Sequence, residues 1–412
     1  MSDPSRPRGA STTGSPGPRS PSWVEVDLGA LRHNVRALRE LLGPGCGVWA
    51  VVKANAYGHG AVPAARAALL GGAMGLAVAS LSEALDLRRA GVGAPILLLS
   101  AGDPGSADQL VREEIIQAAC RGDVMTALSR AAVRIGKPAK VHLKLDTGLD
   151  RLGVQPERAV EFAQLMQGLP GLTLDGVFSH LATAEATDTT YADQQFARFR
   201  SAVLALRAAG INPGVRHLAN SAATLRFPEM RLDGVRAGLL IYGLRPDAPG
   251  LTPLSLRPAL TWKTRLAFTQ RVPGGSAISY GGTHVTRDEC LLGVLPLGYA
   301  DGYPRRASNR AHVLLRGQPC PVAGTVCMDH VIVNASAAGD IQPGEEVVLI
   351  GRQGEHQVTA NDLARWAETC LHEVTTVIGS RVARVYANAR AAEQPRGHSD
   401  EAVGPEPSDG GG

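Results

Sequence analysis

Aromatic residues are scarce in this sequence, at 4%, and charged residues make up only 19% of it. The formal net charge is +4 over 412 residues, which favours neither nucleic acid nor a membrane surface as a partner. No apolar run is long enough to span a bilayer, and the N-terminus lacks the apolar segment of a secretory signal. We therefore expect a globular, cytoplasmic protein.

Cysteine is also sparse, with six residues and no C-x-x-C pair among them. This spacing favours reduced thiols over a disulfide framework or a zinc site, so we expect no metal. Large aliphatic residues are almost absent from both ends of the chain. Residues 1–22 are rich in Ser, Pro and Gly, and Val403 is the only large aliphatic residue among residues 389–412. Both ends are predicted to be disordered tails.

Between these ends, eight short apolar runs alternate with helical patterns across residues 23–247. The runs read GVWAVVKA, AMGLAVAS, APILLLSAG, EIIQAAC, KVHLKLDTG, LDGVFSHL, GVRHLANS and DGVRAGLLIYG. One helical pattern places Leu28, Leu31, Val35, Leu38 and Leu42 at spacings of three and four residues. Eight alternating β/α units predict an α/β fold with a TIM-like (β/α)8 barrel.

After Pro246 the pattern changes to short runs that are separated by Gly, Pro and Asp turns. In ALTWKTRLAF, alternation places Leu260, Trp262, Leu266 and Phe268 on one face of a strand. We predict a mostly-β second domain over residues 248–388, with one helix near residues 361–370.

The stretch VVKANAYGHG ends an apolar run with Lys53, where burial of an ammonium group is unfavourable. In a barrel this lysine stands at the carboxyl end of the first strand, on the face that carries active sites. A desolvated lysine can form a Schiff base with a carbonyl, most commonly that of pyridoxal 5'-phosphate. A solvated lysine that snorkels to the surface is the alternative for this residue taken alone.

A bound phosphate needs amide and hydroxyl groups, which barrels often supply after the seventh and eighth strands. Asn220 and Ser221 in HLANSAAT, and Gly238 and Leu239 in RAGLLIYG, occupy these positions, and Tyr57 could add a hydroxyl. An ordinary helix N-cap is the alternative explanation of Asn220 and Ser221.

Seven segments resemble the successive signatures of bacterial alanine racemases: VVKANAYGHG, HLKLDTGLDRLGV, HLANSAAT, LDGVRAGLLIYG, SYGGTHV, LGYADGYPR and VAGTVCMD. They occur in the family's order and cover nearly the whole folded region. The resemblance implies a pyridoxal-phosphate barrel, a C-terminal β domain and a head-to-tail homodimer that acts on a small amino acid. The implied reaction interconverts L-alanine and D-alanine, and D-alanine is a precursor of bacterial peptidoglycan.

By this resemblance, Lys53 binds the cofactor covalently and serves as one of two catalytic bases, and Tyr280 in SAISYGGTHV is the second. Racemisation needs an acid–base group on each face of the α-carbon, so that a proton removed from one side can be returned to the other. In the family this tyrosine comes from the partner subunit. Phenols ionise at about pH 10, so a tyrosine base needs a lowered pKa or a proton relay.

The resemblance assigns further roles in the barrel. Arg236 is similar to the family's partner of the pyridine nitrogen, oriented by His180 and His217, although either histidine could be a satisfied core residue. Arg151 resembles a contact of the cofactor's ring oxygen and of the substrate carboxylate. Lys144 is similar to a lysine that is often carbamylated in the family, and the resulting anion could pair with Arg151.

In the second domain, Met328 and Asp329 in VCMD resemble residues that approach the substrate carboxylate across the dimer, and Tyr299 resembles a residue that narrows the entrance. Two positions depart from the family pattern. Asn55 stands where aspartate is common, and His372 aligns with a tyrosine that binds the phosphate.

Three alternatives stay open at this stage. A racemase of another small amino acid, such as serine, would use the same catalytic pair with different entrance residues. A non-catalytic pyridoxal-phosphate protein would share the barrel lysine but lack the second β domain. A decarboxylase on the same two-domain plan would need a cysteine motif in the second domain, for which Cys327 is the only hint.

Overall fold

Eight parallel strands close into a barrel in the first part of the chain. This confirms the predicted fold, because each of the eight apolar runs overlaps one barrel strand. The structure, a computed structural model, describes residues 20–389. The barrel strands are Gly47–Val51, Gly75–Val78, Ile96–Leu98, Ile115–Ala119, Ala139–Lys144, Leu172–Phe178, Val215–His217 and Gly234–Ala237.

Helices connect the barrel strands, and the first helix shows why they form. Its residues Leu28, Leu31, Val35 and Leu38 are all buried, as their spacing predicts. The Asp27 side chain caps it by accepting two backbone N–H groups of the first turn, at 2.7 and 3.1 Å. The helices of this part are Leu28–Leu42, Lys53–Tyr57, Ala61–Leu70, Leu81–Arg89, Ala107–Arg112, Gly122–Ile135, Ala159–Gln167, Thr190–Ala208 and Ser221–Arg226, with 3-10 turns Pro104–Ser106, Pro156–Arg158, Pro228–Met230 and Leu239–Tyr242.

The second part of the chain, together with one N-terminal strand, forms sheets of seven, three and two strands, which fits the predicted mostly-β domain. Its strands are Leu260–Arg265, Phe268–Val272, Ala277–Ile278, His284–Val285, Cys290–Leu295, His312–Leu315, Gln318–Pro321, Val331–Asn334, Glu346–Gln353, His356–Val358 and Ala383–Ala387. Its helices are Ala360–Ala367 and Leu371–Thr376, with 3-10 turns Tyr280–Gly282, Tyr299–Asp301, Arg305–Ala307 and Ser336–Ala338. The predicted division near residue 247 stays a prediction.

The N-terminal strand requires one correction to the predicted boundaries. Strand Ser22–Asp27 lies in the seven-stranded sheet, antiparallel to Leu260–Arg265 and parallel to Ala383–Ala387, and not in the barrel domain. The Trp262 indole donates a hydrogen bond to the Ser22 hydroxyl at 3.0 Å. Ser22 is therefore an ordered, buried residue, whereas the rest of the predicted tails lies almost entirely outside the described residues.

The apolar strand face predicted for ALTWKTRLAF was partly wrong. Leu260, Trp262 and Leu266 are buried, but the Phe268 side chain is 54% exposed. The strand ends at Arg265 and a new strand, in a different sheet, begins at Phe268, so the alternation does not continue across the break. Among residues 20–389, no helix is long and apolar enough to cross a membrane.

Candidate active site

A cavity of about 320 Å³ opens at the carboxyl ends of the barrel strands. Eleven residues that the sequence singled out line it: Lys53, Tyr57, Lys144, Arg151, His180, Asn220, Ser221, Arg236, Gly238, Leu239 and His372. His217 lies directly behind Arg236 and is fully buried. The barrel residues of the prediction therefore come together in one place.

Lys53 begins a tight turn directly after the first barrel strand. The four residues that follow it, Ala54 to Tyr57, all have left-handed backbone angles, with φ between 50 and 54°. Such angles are unfavourable for residues with a β-carbon. Two side chains hold the turn: Glu83 accepts the Ala54 N–H at 2.6 Å, and the Asn55 amide oxygen accepts the Ala61 N–H at 2.9 Å.

The surroundings of Lys53 favour its neutral amine. Burial is the largest cause that lowers the Lys53 pKa, and the nearby positive charges of Arg151 and Arg236 lower it further. Glu83 acts in the opposite direction. A lysine with a lowered pKa is the form that can attack a carbonyl or accept a proton.

Hydroxyl and amide groups gather at another part of the cavity. The Ser221 hydroxyl accepts the Gly238 N–H at 3.1 Å, and burial raises the pKa of the nearby Tyr57 hydroxyl to about 12, so this group stays a donor. A β-carbon on Gly238 would lie 2.6 Å from the Tyr57 oxygen, so glycine permits this close approach. The Asn220 side chain caps helix Ser221–Arg226, as the N-cap interpretation proposed.

Arg236 is a buried guanidinium with five hydrogen bonds. One terminal nitrogen donates to the His217 Nδ1 and carbonyl oxygen, both at 2.9 Å. The other donates to the carbonyls of Ser179 (2.6 Å) and Leu218 (3.0 Å) and to the His180 Nδ1 (3.1 Å). Burial and the charge of Arg236 lower the pKa of both histidines well below the ordinary value, so both rings are neutral.

Lys144 is also buried in this cavity. Its amine donates to the Leu145 carbonyl at 2.7 Å and lies 5.5 Å from the centre of the Phe178 ring. Burial, followed by the charge of Arg236, lowers the Lys144 pKa to about 8. Arg151 lowers it in the same direction, while Asp146 opposes the shift.

Apart from His372, the predicted residues of the second domain do not line this cavity. Tyr280, Met328 and Tyr299 are exposed, at 72, 53 and 43%. Hydrogen bonds join these residues into one surface. The Thr325 hydroxyl donates to the Tyr280 carbonyl at 2.8 Å, and the Tyr299 N–H donates to the Cys327 carbonyl at 3.1 Å. Met328 accepts the Ala300 N–H at 3.1 Å, while the Asp329 carboxylate pairs with Arg381 at 2.8 Å.

The sequence analysis did not single out three residues of this site. Glu83, on helix Leu81–Arg89, was not noticed because its sequence context is an ordinary capping box, which it also forms with Ser80. Phe178 packs on the His217 ring at 4.9 Å between centroids, and Glu185 lines the cavity. Phe178 stands directly before Ser179 and His180 in the run LDGVFSHL, so its position at a strand end was the available signal.

Family models match both halves of the chain. The model described as "Alanine racemase, N-terminal domain" matches residues 26–246, and the "Alanine racemase, C-terminal domain" model matches residues 259–386. The chain belongs to the alanine racemase family. Members of this family are isomerases that act on an amino acid with pyridoxal phosphate.

Individual relatives agree with the family match. An alanine racemase of Symbiobacterium thermophilum is 46% identical over 372 residues, which cover 90% of this chain and 98% of the relative. The crystal structure of an alanine racemase from Streptomyces coelicolor has a TM-score of 0.83 at 42% identity, covering 89% of this chain and 98% of that one. A histidine racemase from Leuconostoc mesenteroides is similar at 28% identity, with a TM-score of 0.81 and coverage of 90% and 99%.

The residues present fit the cofactor of the alanine racemase family. The cavity places a lysine of lowered pKa among basic side chains, which suits an aldehyde that carries a phosphate. The close packing of Gly238 under the Tyr57 hydroxyl leaves no room for a side chain where amide and hydroxyl groups meet. These are the groups by which proteins bind phosphate.

Proposed function

We propose that this protein interconverts L-alanine and D-alanine with Lys53 of one chain and Tyr280 of a second chain on opposite faces of the substrate. The observation that carries this proposal is the separation of the two residues. Lys53 lines the barrel cavity, while Tyr280 belongs to the exposed surface of the second domain that includes Met328 and Tyr299. A homodimer that places this surface over the partner's cavity supplies the second base.

When bound, pyridoxal phosphate supplies an electron-withdrawing ring joined to the substrate nitrogen. The Lys53 amine, whose pKa is lowered, takes the α-proton at Nζ on one face. The Tyr280 hydroxyl gives a proton from Oη on the other face, and the roles reverse in the opposite direction. Arg151 is our proposed contact of the substrate carboxylate, because a guanidinium pairs with a carboxylate through two parallel hydrogen bonds.

We assign Arg236 to the pyridine nitrogen. A guanidinium has donors and no acceptor, and burial lowers the Arg236 pKa only to about 9, so it stays charged at neutral pH. It therefore keeps its protons and adds none to a neighbouring base. Tyr57, Ser221, Gly238, Leu239 and His372 are our proposed phosphate contacts, and Met328 and Tyr299 the residues that bound the substrate from the partner. The Asp329 carboxylate is already engaged in an ion pair with Arg381.

Subunit mixing tests the shared site. Lys53→Ala and Tyr280→Phe each remove one base, and we expect neither variant alone to form D-alanine at a useful rate. After dissociation and mixing in equal amounts, half of the dimers carry both variants, and each of these retains one intact site. We expect about one quarter of the wild-type rate. No recovery on mixing would show that both bases come from one chain.

The substrate side chain is tested separately. A histidine racemase shares this fold at 28% identity, so the fold alone accommodates more than one side chain. We expect turnover of L-alanine to exceed that of L-serine and L-histidine, measured by chiral chromatography with the same protein. Faster turnover of serine or histidine would replace alanine as the substrate without changing the proposed catalytic pair.

We also propose that Lys144 is carbamylated. With a pKa of about 8, part of the amine is neutral near pH 7 and can add to carbon dioxide, which forms an N–C bond and releases a proton. The product is an anion that can pair with Arg151, whereas the protonated amine repels it. Intact-mass measurement of the gently ionised protein should show one added carboxyl group, which the Lys144→Met variant lacks. Full activity in carbon-dioxide-free buffer, together with an unmodified mass, would contradict the proposal.

A further inference from the structure

Two buried histidines continue the hydrogen bonding of Arg236 into the barrel. His217 faces Arg236 through Nδ1 at 2.9 Å, and its Nε2 lies 2.9 Å from the Nδ1 of His142. Both rings are fully buried. The remaining nitrogen of His142 faces the Asp175 carboxylate at 3.8 Å, and no closer partner exists for it among residues 20–389.

The chemistry of arginine sets the direction of the hydrogen bonds from Arg236 through His217 to His142. Because a guanidinium can only donate, the His217 Nδ1 must accept, which places the proton of the neutral ring on Nε2. That proton is donated to the His142 Nδ1, so the proton of His142 is also on Nε2. The last N–H of the chain therefore points toward Asp175.

The barrel is shaped around these rings. The pairing of strands Ala139–Lys144 and Leu172–Phe178 shifts register between Val141 and His142, and such irregularities re-aim side chains. His142 then pairs with Gly176, where a β-carbon would lie 2.8 Å from two atoms of the His142 ring. Trp49 packs edge-on against this ring at 5.7 Å between centroids.

The buried charge of Arg236 gives this series of hydrogen bonds a function. Its five hydrogen bonds go to carbonyl groups and imidazole nitrogens, and none goes to a carboxylate in the described part of the chain. A buried charge without a counter-charge is unfavourable. Hydrogen-bonded groups polarise one another in sequence. The Asp175 carboxylate, 3.8 Å from the last N–H, acts on this sequence through its charge and strengthens the acceptor at the other end.

We propose that Asp175 and His142 are positioning residues that act through His217 as a remote counter-charge for Arg236. This inference rests on the proposed function only in its assignment of Arg236 to the pyridine nitrogen. Asp175 is partly exposed, and it also lies 3.6 Å from the exposed amine of Lys140. The carboxylate is thus a surface group whose charge reaches the cavity through two rings.

Nitrogen NMR of the cofactor-loaded protein, labelled with 15N in its histidine rings, tests the chain without measuring turnover. We expect His142 and His217 to be neutral and protonated on Nε2. Asp175→Asn removes the charge at the surface, and it should shift the ring resonances of both histidines. Lys140→Met is the matched control, because it alters the same surface pair but keeps the carboxylate, and its shifts should be smaller. A proton on the His217 Nδ1, or an Asp175→Asn effect confined to His142, would overturn the proposal.

Variants of His142 test the consequence for the reaction. His142→Leu fills the space but leaves the His217 N–H without an acceptor, and we expect kcat for D-alanine formation to fall by about tenfold with little change in KM. His142→Asn restores an acceptor near the Nδ1 position and should recover most of this loss. If packing alone mattered, leucine would match or exceed asparagine. If the leucine variant does not fold, Asp175→Asn gives the same test from the surface. A wild-type protein that forms no D-alanine would refute the proposed function but not the NMR result.

Discussion

The left-handed turn after Lys53 predicts an unusual response to glycine. Ala54 is exposed and has φ 52° and ψ 53°, whereas Ala197 is exposed in the middle of the right-handed helix Thr190–Ala208. The same substitution, alanine to glycine, can therefore be made at two solvent-facing positions of opposite handedness. The removed methyl group packs against little in either case, so the difference between the two variants isolates the backbone.

The expected magnitudes follow from the two conformations. In the right-handed helix, Ala197→Gly should lower the free energy of unfolding by about 1 kcal/mol. At Ala54, glycine relieves a left-handed penalty of about 1–2 kcal/mol. The greater conformational freedom of glycine in the unfolded chain offsets about 0.4–1 kcal/mol of this gain in stability. Ala54→Gly should thus be neutral or stabilising by up to about 1.5 kcal/mol, which separates the two variants by about 1–2.5 kcal/mol.

Equilibrium urea unfolding of the cofactor-loaded protein measures both variants against the wild type, with the dimer concentration held constant. If Ala54→Gly destabilises the protein as much as Ala197→Gly, the turn stores no backbone strain and the reasoning fails. A slower racemisation by the stabilised Ala54→Gly variant would show, in addition, that the strained turn aims the Lys53 amine.

Three further predictions each concern one residue. Gly238→Ala places a β-carbon 2.6 Å from the Tyr57 oxygen, so cofactor affinity should fall by about tenfold or more in a spectrophotometric titration, and unchanged affinity would contradict the packing argument. His372→Tyr should tighten cofactor binding in the same titration if the histidine is a weaker phosphate contact. Burial lowers the pKa of His59 to about 4, so the unfolded chain binds more protons between pH 6.5 and 4 and stability falls as the pH is lowered through this window. The loss should reach about 3 kcal/mol in urea unfolding and be absent from His59→Asn.

The barrel could be predicted because its strands are buried on both faces and are local in sequence. Each reads as a short apolar run that a turn residue ends, and the strand-end residues Lys53 and Arg236 follow directly from that placement. The strand Ser22–Asp27 could not be placed in this way, because its partners begin more than 200 residues later. Alternation also could not show that the chain changes sheets before Phe268.

The finer structure of the site depends on backbone geometry that side-chain types do not encode. Nothing in the letters Ala-Asn-Ala-Tyr marks four consecutive left-handed residues, although asparagine tolerates that conformation better than most. The contact of Glu83 with the Ala54 amide and the contact of His142 with His217 arise only when the barrel closes. Such residues look like an ordinary cap and an ordinary core histidine until their neighbours are known.

The charges of the cavity connect the site to the proposed dimer. The cavity is lined by four basic side chains and the Glu185 carboxylate; the basic residues are Lys53, Lys144, Arg151 and Arg236. The charges of Arg151 and Arg236 contribute to the lowered pKa of both lysines, so the two arginines disfavour each protonated amine. A phosphate and a substrate carboxylate would convert this repulsion into attraction. In the proposed function, the barrel of one chain therefore supplies the anion-binding charges and one proton-transfer group, and the exposed phenol of Tyr280 serves the cavity of another chain.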